Sequence, residues 1–389
     1  MTEDAPRVPD STALASVQEL CDFATPYATG EALDQLFCAA MRQCVAWHAA
    51  RSPFYARLLA DHGFVAAQLE TTNDLEHLPF ILANFFKAHE VLSIPPGDVY
   101  LHLTSSGTSG QKSQIFFDEW TIRGAQRMVD FIFAHYGWTT VTEPTNYLLY
   151  SYEPQPGFKV GTSYTDNFLL KYAQVNRVEY ALKNTGDGRH EFDPFGCIRA
   201  LQSFAEEGLP VRIFGFPAFM HFTLERMRAM GVAPLKLHPR SLTFFGGGWK
   251  GHQDQAIAKP ALYAEIARML AVPDERIRDG FGSVEHCIPY VECSMHEFHV
   301  PVWSRVQIRD VRTMAVLGYG RPGYLSFISP YITSVPAHHV IMGDLAQLEA
   351  PENCRCGLAT PFFRVLGRAG LSRNKSCAVA AAELLRRPS

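Results

Sequence analysis

The chain has 389 residues, of which 47% are hydrophobic and 19% charged, and its formal net charge is −4 at pH 7. This length and composition predict a folded protein with a large core and exclude a disordered chain, while the small negative charge without a basic block argues against nucleic acid as a partner. The acidic N-terminus and the lack of a long apolar run predict no signal peptide and no membrane-spanning helix. We therefore expect a cytoplasmic protein whose nine cysteines are thiols or metal ligands and not disulfides.

Helical and strand patterns alternate along the first part of the chain. Apolar residues recur at helical spacing from Leu33 to His48, which predicts a helix with Cys44 and His48 on its core face. Ser52-Pro53 predicts the start of a second helix that ends at Gly63. Further along, buried strands are predicted at 146–151, 211–215 and 242–245, and a helix from 217 to about 231.

After about residue 298 the pattern changes to short strands and turns, at 299–303, 306–310 and 324–328. The predicted fold class is α/β, with an α/β core at 1–297, a β-rich subdomain at 298–366 and a short tail at 367–389. Gly318–Gly323 matches the G-x-G-x-x-G dinucleotide pattern, but Pro322 and a strand pattern follow it where a helix is required. We interpret this stretch as a hairpin turn.

A loop rich in glycine and hydroxyl side chains follows the strand pattern at 99–103. Residues 104–113 combine serines and threonines with two glycines and one lysine, Lys112. Glycines let backbone N–H groups approach phosphate oxygens, hydroxyls donate further hydrogen bonds, and the lysine supplies charge. The spacing is not that of the common P-loop, because Gln111 separates Gly110 from Lys112. The loop predicts a polyphosphate site; the alternative is an ordinary Ser/Gly-rich turn.

Four further loops carry groups that suit a nucleotide. The glycines of Gly246–Gly251 permit close approach to a flat ligand, although a tight turn on Trp249 would look the same. Glu285 could hold Mg²⁺ beside phosphates or be a solvated surface residue. Asp344 could bind a ribose diol and Arg368 a phosphate, but neither signal is specific alone.

The order of these segments resembles the core motifs of the AMP-forming adenylating superfamily, which includes acyl-CoA synthetases and the adenylation domains of peptide synthetases. The resemblance implies the large N-terminal domain of those enzymes, with layered α/β sheets and a small β-rich subdomain, and a C-terminal lobe that is missing or reduced to a short tail. It implies ATP-phosphate contacts from Thr104, Ser105, Ser106, Gly107, Thr108, Ser109, Gly110 and Lys112, adenine beside Gly247 and Gly248, AMP and Mg²⁺ at Ser283 and Glu285, ribose at Asp344, and a hinge at Arg368.

Cysteines and histidines in two later segments suggest a zinc site. Cys293, His296 and His299 precede a Cys354-Arg-Cys356-Gly turn, and thiolates with imidazole are the preferred ligands of structural zinc. The alternative is a scatter of reduced cysteines. The phenylacetate–CoA ligase-like branch of the superfamily has similar segments, and this resemblance favours Cys293, His299, Cys354 and Cys356 as ligands of a structural ion, with His296 as the competing histidine.

The C-terminal stretch carries a candidate nucleophile, Cys377, in the phrase Lys375-Ser-Cys. It resembles the Lys-Gly-Cys of the acyl-protein synthetases of bacterial bioluminescence fatty-acid reductase complexes, which share the short length and a Ser-Ser-Gly-Thr loop. In that family the cysteine accepts the activated acyl group, and the resemblance transfers this role to Cys377, although Ser376 replaces the usual glycine. Arg373 and Lys375 would lower the pKa of the thiol. The alternative is a small residue at the start of a terminal Ala-rich helix.

Together these features predict a ligase that uses ATP and Mg²⁺ to convert a carboxylic acid, by resemblance a fatty acid, to acyl-AMP. Lys112 and Glu285 would serve the first step, and Cys377 would then hold the acyl group for an acyl reductase partner. One alternative is an aryl-acid adenylating enzyme or aryl-CoA ligase-like protein of secondary metabolism. The other is an inactive adenylate-binding subunit, against which the intact Lys112, Glu285 and Asp344 argue. The acid, the final acceptor (Cys377, coenzyme A or a carrier protein) and the oligomeric state, including a homo-oligomer, stay open.

Overall fold

The computed structural model describes residues 5–104, 114–154, 168–186, 189–249 and 251–369. Contacts between Cα atoms divide the chain into two units. The first unit contains the residues up to His135, Ser283–Tyr290 and the residues from Glu297 onward, and the second contains Tyr136–Gly282 and Val291–His296. The boundaries expected near residues 297 and 366 stay predictions.

Helices and strands alternate through the described residues. The α-helices are α1 Ala15–Cys21, α2 Glu31–Arg51, α3 Pro53–Asp61, α4 Phe85–Ala88, α5 Glu119–His135, α6 Pro194–Glu207, α7 Pro217–Ala229 and α8 Lys259–Leu270. The strands are β1 Ile81–Leu82, β2 Leu101–Thr104, β3 Gln114–Phe117, β4 Thr140–Tyr152, β5 Ala173–Gly186, β6 Arg189–Phe192, β7 Val211–Gly215, β8 Leu242–Phe245, β9 Ile277–Phe281, β10 Tyr290–Val291, β11 Phe298–His299, β12 Arg305–Arg309, β13 Val316–Leu317, β14 Pro322–Ile328, β15 His339–Glu349 and β16 Phe362–Arg368.

Two helices of the first unit were predicted from the sequence, and the structure has both, with bounds that differ by two or three residues at three of the four ends. The predicted helix over 33–48 is α2, and Cys44 and His48 are buried on it. The Ser52 hydroxyl accepts the N–H of Tyr55 at the start of α3, and Pro53 is the first helical residue. This cap satisfies a donor that the first helical turn leaves free.

The main sheet of the first unit has the order β11-β16-β15-β14-β12-β13, with β1 also paired to β15. Its pairs are antiparallel apart from the parallel pair of β1 with β15. The strand expected at 299–303 is shorter, since β11 ends at His299 and Pro301 has no N–H to donate to a neighbour.

The prediction of a hairpin at Gly318–Gly323 is wrong, because the two strands that flank this turn do not pair with each other. Strands β13 and β14 lie on either side of β12, so the turn between them joins two strands that do not pair. A strand and not a helix follows the turn. A dinucleotide site therefore remains excluded there.

The second unit is built on a sheet of order β10-β9-β8-β7-β4-β5-β6. The pairs β5–β4, β4–β7, β7–β8 and β8–β9 are parallel, as expected for strands linked through helices. The predicted strands at 211–215 and 242–245 are β7 and β8, and the predicted 146–151 lies within β4. The core includes Val211, Ile213 and Ile277 of the sheet with Leu201, Leu224 and Ile266 of α6, α7 and α8.

Gly215 is the last residue of β7 and lies close to the backbone of the neighbouring strand β4. Its φ is +121°, and a methyl group at this position would collide with the backbone carbonyl of Tyr150. Neither the backbone angle nor the space suits a side chain. Only glycine lets β4 and β7 stay paired up to this edge, from which the loop leading to α7 departs.

We expect Gly215→Ala to lower the free energy of unfolding by about 3 kcal/mol. Alanine would be strained at this positive φ, and its methyl group would also collide with the backbone of Tyr150. The matched control is Gly208→Ala, where φ is +69° but no atom lies within 4 Å, so a loss of about 1 kcal/mol is expected. Urea denaturation followed by circular dichroism measures both. Equal losses in the two variants would contradict the close approach to Tyr150.

Candidate active site

Ser283 begins a tight turn in the first unit. Its carbonyl accepts the N–H groups of His286, at 3.2 Å, and Cys287, at 2.8 Å. Its hydroxyl lies 3.8 Å from the sulfur of Met342. Met342 is two residues before Asp344 in β15. The serine and the aspartate expected to bind AMP are therefore carried by backbone segments in contact with each other.

Asp344 and Arg368 face each other across two paired strands. They are opposite in the register of β15 and β16, and Arg368 Nε lies 3.5 Å from Asp344 Oδ1. The Asp344 residue is 9% exposed, whereas the Arg368 side chain is 70% exposed. Burial raises the pKa of Asp344 above its ordinary value, and the Arg368 charge opposes the rise. The pair joins a buried hydrogen-bond acceptor to an accessible cation.

Glu285 is a buried carboxylate, 6% exposed. Within the described part of the chain no hydrogen bond or ion pair involves its side chain. The neighbouring His286 is anchored, with Nε2 2.9 Å from the Tyr290 hydroxyl and its ring stacked on Phe327 at 4.5 Å. A carboxylate on this anchored segment would suit a divalent cation such as Mg²⁺, which binds through one or two carboxylates plus substrate oxygens.

The glycine turn of the second unit follows β8. Gly247 and Gly248 are exposed and have φ of +75° and +62°. A methyl group on Gly247 would come 2.8 Å from Cε1 of Phe216. Trp249 packs edge-on against His221, with ring centroids 5.6 Å apart. Trp249 of this turn therefore packs on α7, while Gly247 and Gly248 stay exposed. The choice between a flat-ligand site and a plain tight turn stays a prediction.

Part of the expected site is not in the described residues. Thr104 is the last residue of β2. Ser105, Ser106, Gly107, Thr108, Ser109, Gly110, Lys112 and Cys377 lie outside the described residues. Their roles stay predictions.

Three of the expected zinc ligands lie together in the first unit. One ligand atom each of His299, Cys354 and Cys356 falls within 4.8 Å of the others. His299 Nδ1 donates to the carbonyl of Thr360 at 2.7 Å, which leaves Nε2 unprotonated and 3.2 Å from Cys356 Sγ. The N–H of Leu358 donates to Cys356 Sγ at 3.4 Å.

These contacts orient the ring and the sulfur as they are oriented in metal sites. A backbone carbonyl on one imidazole nitrogen fixes the tautomer whose other nitrogen binds metal. Burial lowers the pKa of His299, which keeps the ring neutral. A neutral imidazole and two thiols are a donor set that suits zinc.

The other two candidate ligands lie in the second unit. The sulfur of Cys293 is buried and accepts the N–H of Met295 at 3.3 Å. His296 Nε2 lies 3.0 Å from an oxygen of Asp274. Burial alone would lower the pKa of His296, but hydrogen bonds to Glu292 and Asp274 raise it. His296 is thus engaged with carboxylates, and His299 is the histidine that lies beside the Cys354–Cys356 turn.

Cys44, His48 and His338 also place ligand atoms within 4.8 Å of one another. His48 accepts from the Ser93 hydroxyl at 2.7 Å and donates to the Ile332 carbonyl at 3.0 Å, so both ring nitrogens are already used. The His48 and His338 rings stack at 5.1 Å, and stacked rings do not aim their lone pairs at one point. Burial lowers the pKa of His48 to about 3. We interpret this cluster as core.

Sequence reasoning missed three residues that shape these sites: Phe216 beneath Gly247, Met342 beside Ser283, and Thr360 behind His299. Phe216 directly follows a predicted strand, and its place at the carboxyl edge of a parallel sheet was a usable signal. The other two make contacts across long stretches of sequence, for which no local signal exists.

Comparison with known proteins identifies the family. The profile of the acyl-protein synthetase family, LuxE, matches residues 12–386. The chain belongs to this family. It is 25% identical over 316 residues to a long-chain-fatty-acid–luciferin-component ligase of Vibrio harveyi, covering 80% of this chain and 79% of that one. The ligase of the same name from Aliivibrio fischeri is 23% identical over 327 residues, covering 82% and 81%.

Solved structures of AMP-forming ligases share the fold of this chain. An open conformation of 2-hydroxyisobutyryl-CoA ligase, in complex with 2-HIB-AMP and CoA, aligns with a TM-score of 0.64 at 15% identity, over 95% of this chain and 81% of that one. The same ligase in its postadenylation state gives a TM-score of 0.65 at 15% identity, over 95% and 73%. The predicted α/β fold of AMP-forming adenylating ligases is confirmed.

Membership in the acyl-protein synthetase family also confirms the predicted class of activity, a ligase that activates a carboxylic acid through acyl-AMP and transfers the acyl group. Neither the aryl-acid enzyme nor the inactive subunit is favoured. Ligases of this fold use ATP, normally with Mg²⁺. No helix in the described part of the chain is long and apolar enough to cross a membrane.

We expect Glu285→Gln to slow acid-dependent ATP–pyrophosphate exchange about 100-fold, or about 2.7 kcal/mol of barrier, and to raise the Mg²⁺ concentration needed for half-maximal rate. The amide keeps the shape of the side chain but loses the charge that would hold the cation. The control is Glu352→Gln, the same change at an exposed position of the first unit. Unchanged exchange in a folded Glu285→Gln protein would show that this carboxylate does not hold the metal.

Proposed function

We propose that the protein activates a long-chain fatty acid with ATP and then carries the acyl group as a thioester on Cys377. The observation that carries this proposal is the family match, which runs to residue 386 and so includes Lys375-Ser-Cys377. The names of the Vibrio harveyi and Aliivibrio fischeri relatives support a long-chain fatty acid as the substrate. The cytoplasm is the proposed setting, because thiols stay reduced there.

The first step forms the adenylate. A carboxylate oxygen of the acid attacks the α-phosphorus of ATP, the bond from that phosphorus to the bridging oxygen breaks, and pyrophosphate leaves. Ser105–Lys112 would bind the phosphates through backbone N–H groups, hydroxyls and the lysine charge. Glu285 would bind Mg²⁺, which neutralises phosphate charge. The contribution of these groups is positioning and electrostatic stabilisation.

Asp344 and Arg368 would hold the nucleoside end of the adenylate. Asp344 lies in the middle of a paired strand and is buried, so it is a fixed acceptor for two ribose hydroxyls. Arg368 is largely exposed beside it and can reach a phosphate oxygen while staying close to the carboxylate. Gly247 and Gly248 leave room for the flat adenine ring.

The second step moves the acyl group to the protein. The thiol of Cys377 loses its proton to solvent, the thiolate attacks the acyl carbonyl, a carbon–sulfur bond forms, and AMP leaves with the electrons of the acyl–phosphate bond. Arg373 and Lys375 favour the thiolate. Cys377 is the eighth residue after Ala369, the last described residue, and eight residues of extended chain span about 26 Å. An acyl reductase is the proposed partner that receives the thioester.

We also propose a structural zinc ion bound by Cys293, His299, Cys354 and Cys356. His299, Cys354 and Cys356 are already close together in the first unit, and Cys293 precedes His299 by six residues in the chain. Both Cys293 and Cys356 accept an N–H from the residue two positions later, a contact that stabilises thiolate sulfur. Four protein ligands leave no open position for water, so the ion would be structural.

The zinc proposal predicts about one zinc per purified chain, lost with unfolding under strong chelation. His299→Ala should lose the zinc, and His296→Ala should keep it, because His296 pairs with Asp274. Elemental analysis of the two variants gives the answer. A zinc-free wild-type protein, or zinc lost from His296→Ala and kept by His299→Ala, would overturn the ligand assignment.

The thioester proposal predicts that Cys377→Ser still makes acyl-AMP but holds no hydroxylamine-labile acyl group. Serine keeps the size of cysteine and is a far weaker nucleophile at neutral pH. Pyrophosphate exchange and gel-retained acyl label are measured on the same sample. Lys112→Ala is the complementary variant, with both signals strongly reduced. Label retained by Cys377→Ser would remove this cysteine from the mechanism.

A further inference from the structure

An open apolar groove of about 440 Å³ lies on the first unit, and the proposed chemistry does not use it. Phe54 and Leu58 of α3 line it together with Leu82 of β1 and Phe85 of α4. The Phe54 and Phe85 rings stack at 4.8 Å, and Leu82 is 44% exposed. Aromatic and aliphatic side chains thus form a continuous surface that can bury an apolar ligand.

The described chain ends beside this groove. Strand β15 has β14 along one edge, and β16 and then β1 along the other. Ala369 donates its N–H to the Gly343 carbonyl, and Ala83 donates to the Ile341 carbonyl on the same edge. Gly343 and Ile341 are two residues apart, or about 7 Å along a strand. Strand β16 therefore runs along this edge of β15 toward Leu82, up to Ala369, the last described residue.

Packing gives the same position for the end of the described chain. Phe80 and Ala369 both pack against the small cluster Val311, Tyr324, Ile341 and Leu345. Phe80 also lines the groove. Ala369 and the groove therefore share a neighbour, Phe80.

We propose that the groove is the docking site of this chain's own C-terminal segment, residues 370–389. The segment contains Leu371 and, further on, a run at 378–385 that is apolar apart from Glu383. A helix formed by this run would present apolar side chains to the groove, as in the recognition mode in which a helix occupies a hydrophobic groove. A short tether gives the segment an effective concentration on the order of millimolar, so modest contacts suffice.

Docking does not depend on the role of Cys377. It requires only that the apolar side chains of the segment occupy the groove, whichever group finally accepts the acyl chain. Loss of thioester formation and loss of docking are therefore separate results.

The direct test is photo-crosslinking of the full chain with Phe54→p-benzoylphenylalanine, which places the probe in the groove. Peptide mapping of the monomer should find crosslinks from residue 54 to residues 371–385. The control is Tyr319→p-benzoylphenylalanine, at an exposed residue of the same unit outside the groove. Crosslinks that join two chains, equal crosslinking from position 319, or no crosslink to the segment would each overturn the proposal.

Limited trypsin digestion gives an independent readout. Docking should protect Arg373 and Lys375, and Leu82→Glu should speed cleavage there roughly tenfold by raising the undocked population. Val65→Glu, at an exposed position outside the groove, should leave the rate unchanged. Circular dichroism confirms that both variants are folded. Equal cleavage rates in the wild type and Leu82→Glu would contradict docking.

Discussion

The antiparallel pairing of β15 with β16 is the constraint on which the rest of the first unit depends. It sets Asp344 opposite Arg368. The loop between the two strands carries Cys354 and Cys356, and the pairing of β16 with β11 sets His299 opposite Phe362 beside that loop. A shift of one residue in this register would turn these side chains to the other face of the sheet. The two ladders of backbone hydrogen bonds that β16 forms, with β15 and with β11, thus position the proposed ribose acceptor and three of the proposed zinc ligands.

The same region contains two buried acidic residues, Glu285 and Asp344. Burial raises the pKa of Asp344. Burying a carboxylate costs free energy unless a cation or hydrogen-bond donors compensate. A fold selected only for stability would place apolar side chains there. A buried acid with a raised pKa, such as Asp344, is characteristic of active sites, and hydrogen bonds from a ribose diol would supply the compensation.

Local patterns were sufficient to predict much of the fold from the sequence. Continuous apolar runs bounded by glycine or proline predicted β7 and β8, and the Ser52-Pro53 cap predicted the start of α3. The pairing of strands that are far apart in the sequence could not be predicted. The turn at Gly318–Gly323 was recognised as a turn, but nothing local revealed that its two strands lie on opposite sides of β12.

In the candidate site too, local features could be predicted from the sequence and long-range contacts could not. The order of motifs led to Ser283, Glu285, Asp344 and Arg368 and to the correct family, because each motif is short and local. The preference for His299 over His296 came from the family resemblance, because the spacing of the residues allows either histidine. Asp274, 22 residues from His296 in the chain, engages that ring, while β11 brings His299 to the Cys354–Cys356 turn. Spacing alone could not weigh a distant carboxylate against a neighbouring strand.

The central claim is that the acyl group leaves the adenylate for a thiol of this chain. The most direct measurement is the intact mass of the wild-type protein after incubation with ATP, Mg²⁺ and a saturated long-chain fatty acid, followed by peptide mapping. The account predicts one added acyl group on the peptide that contains Cys377, removed by hydroxylamine. An unmodified protein that accumulates free acyl-AMP, or an acyl group on a different residue, would contradict it.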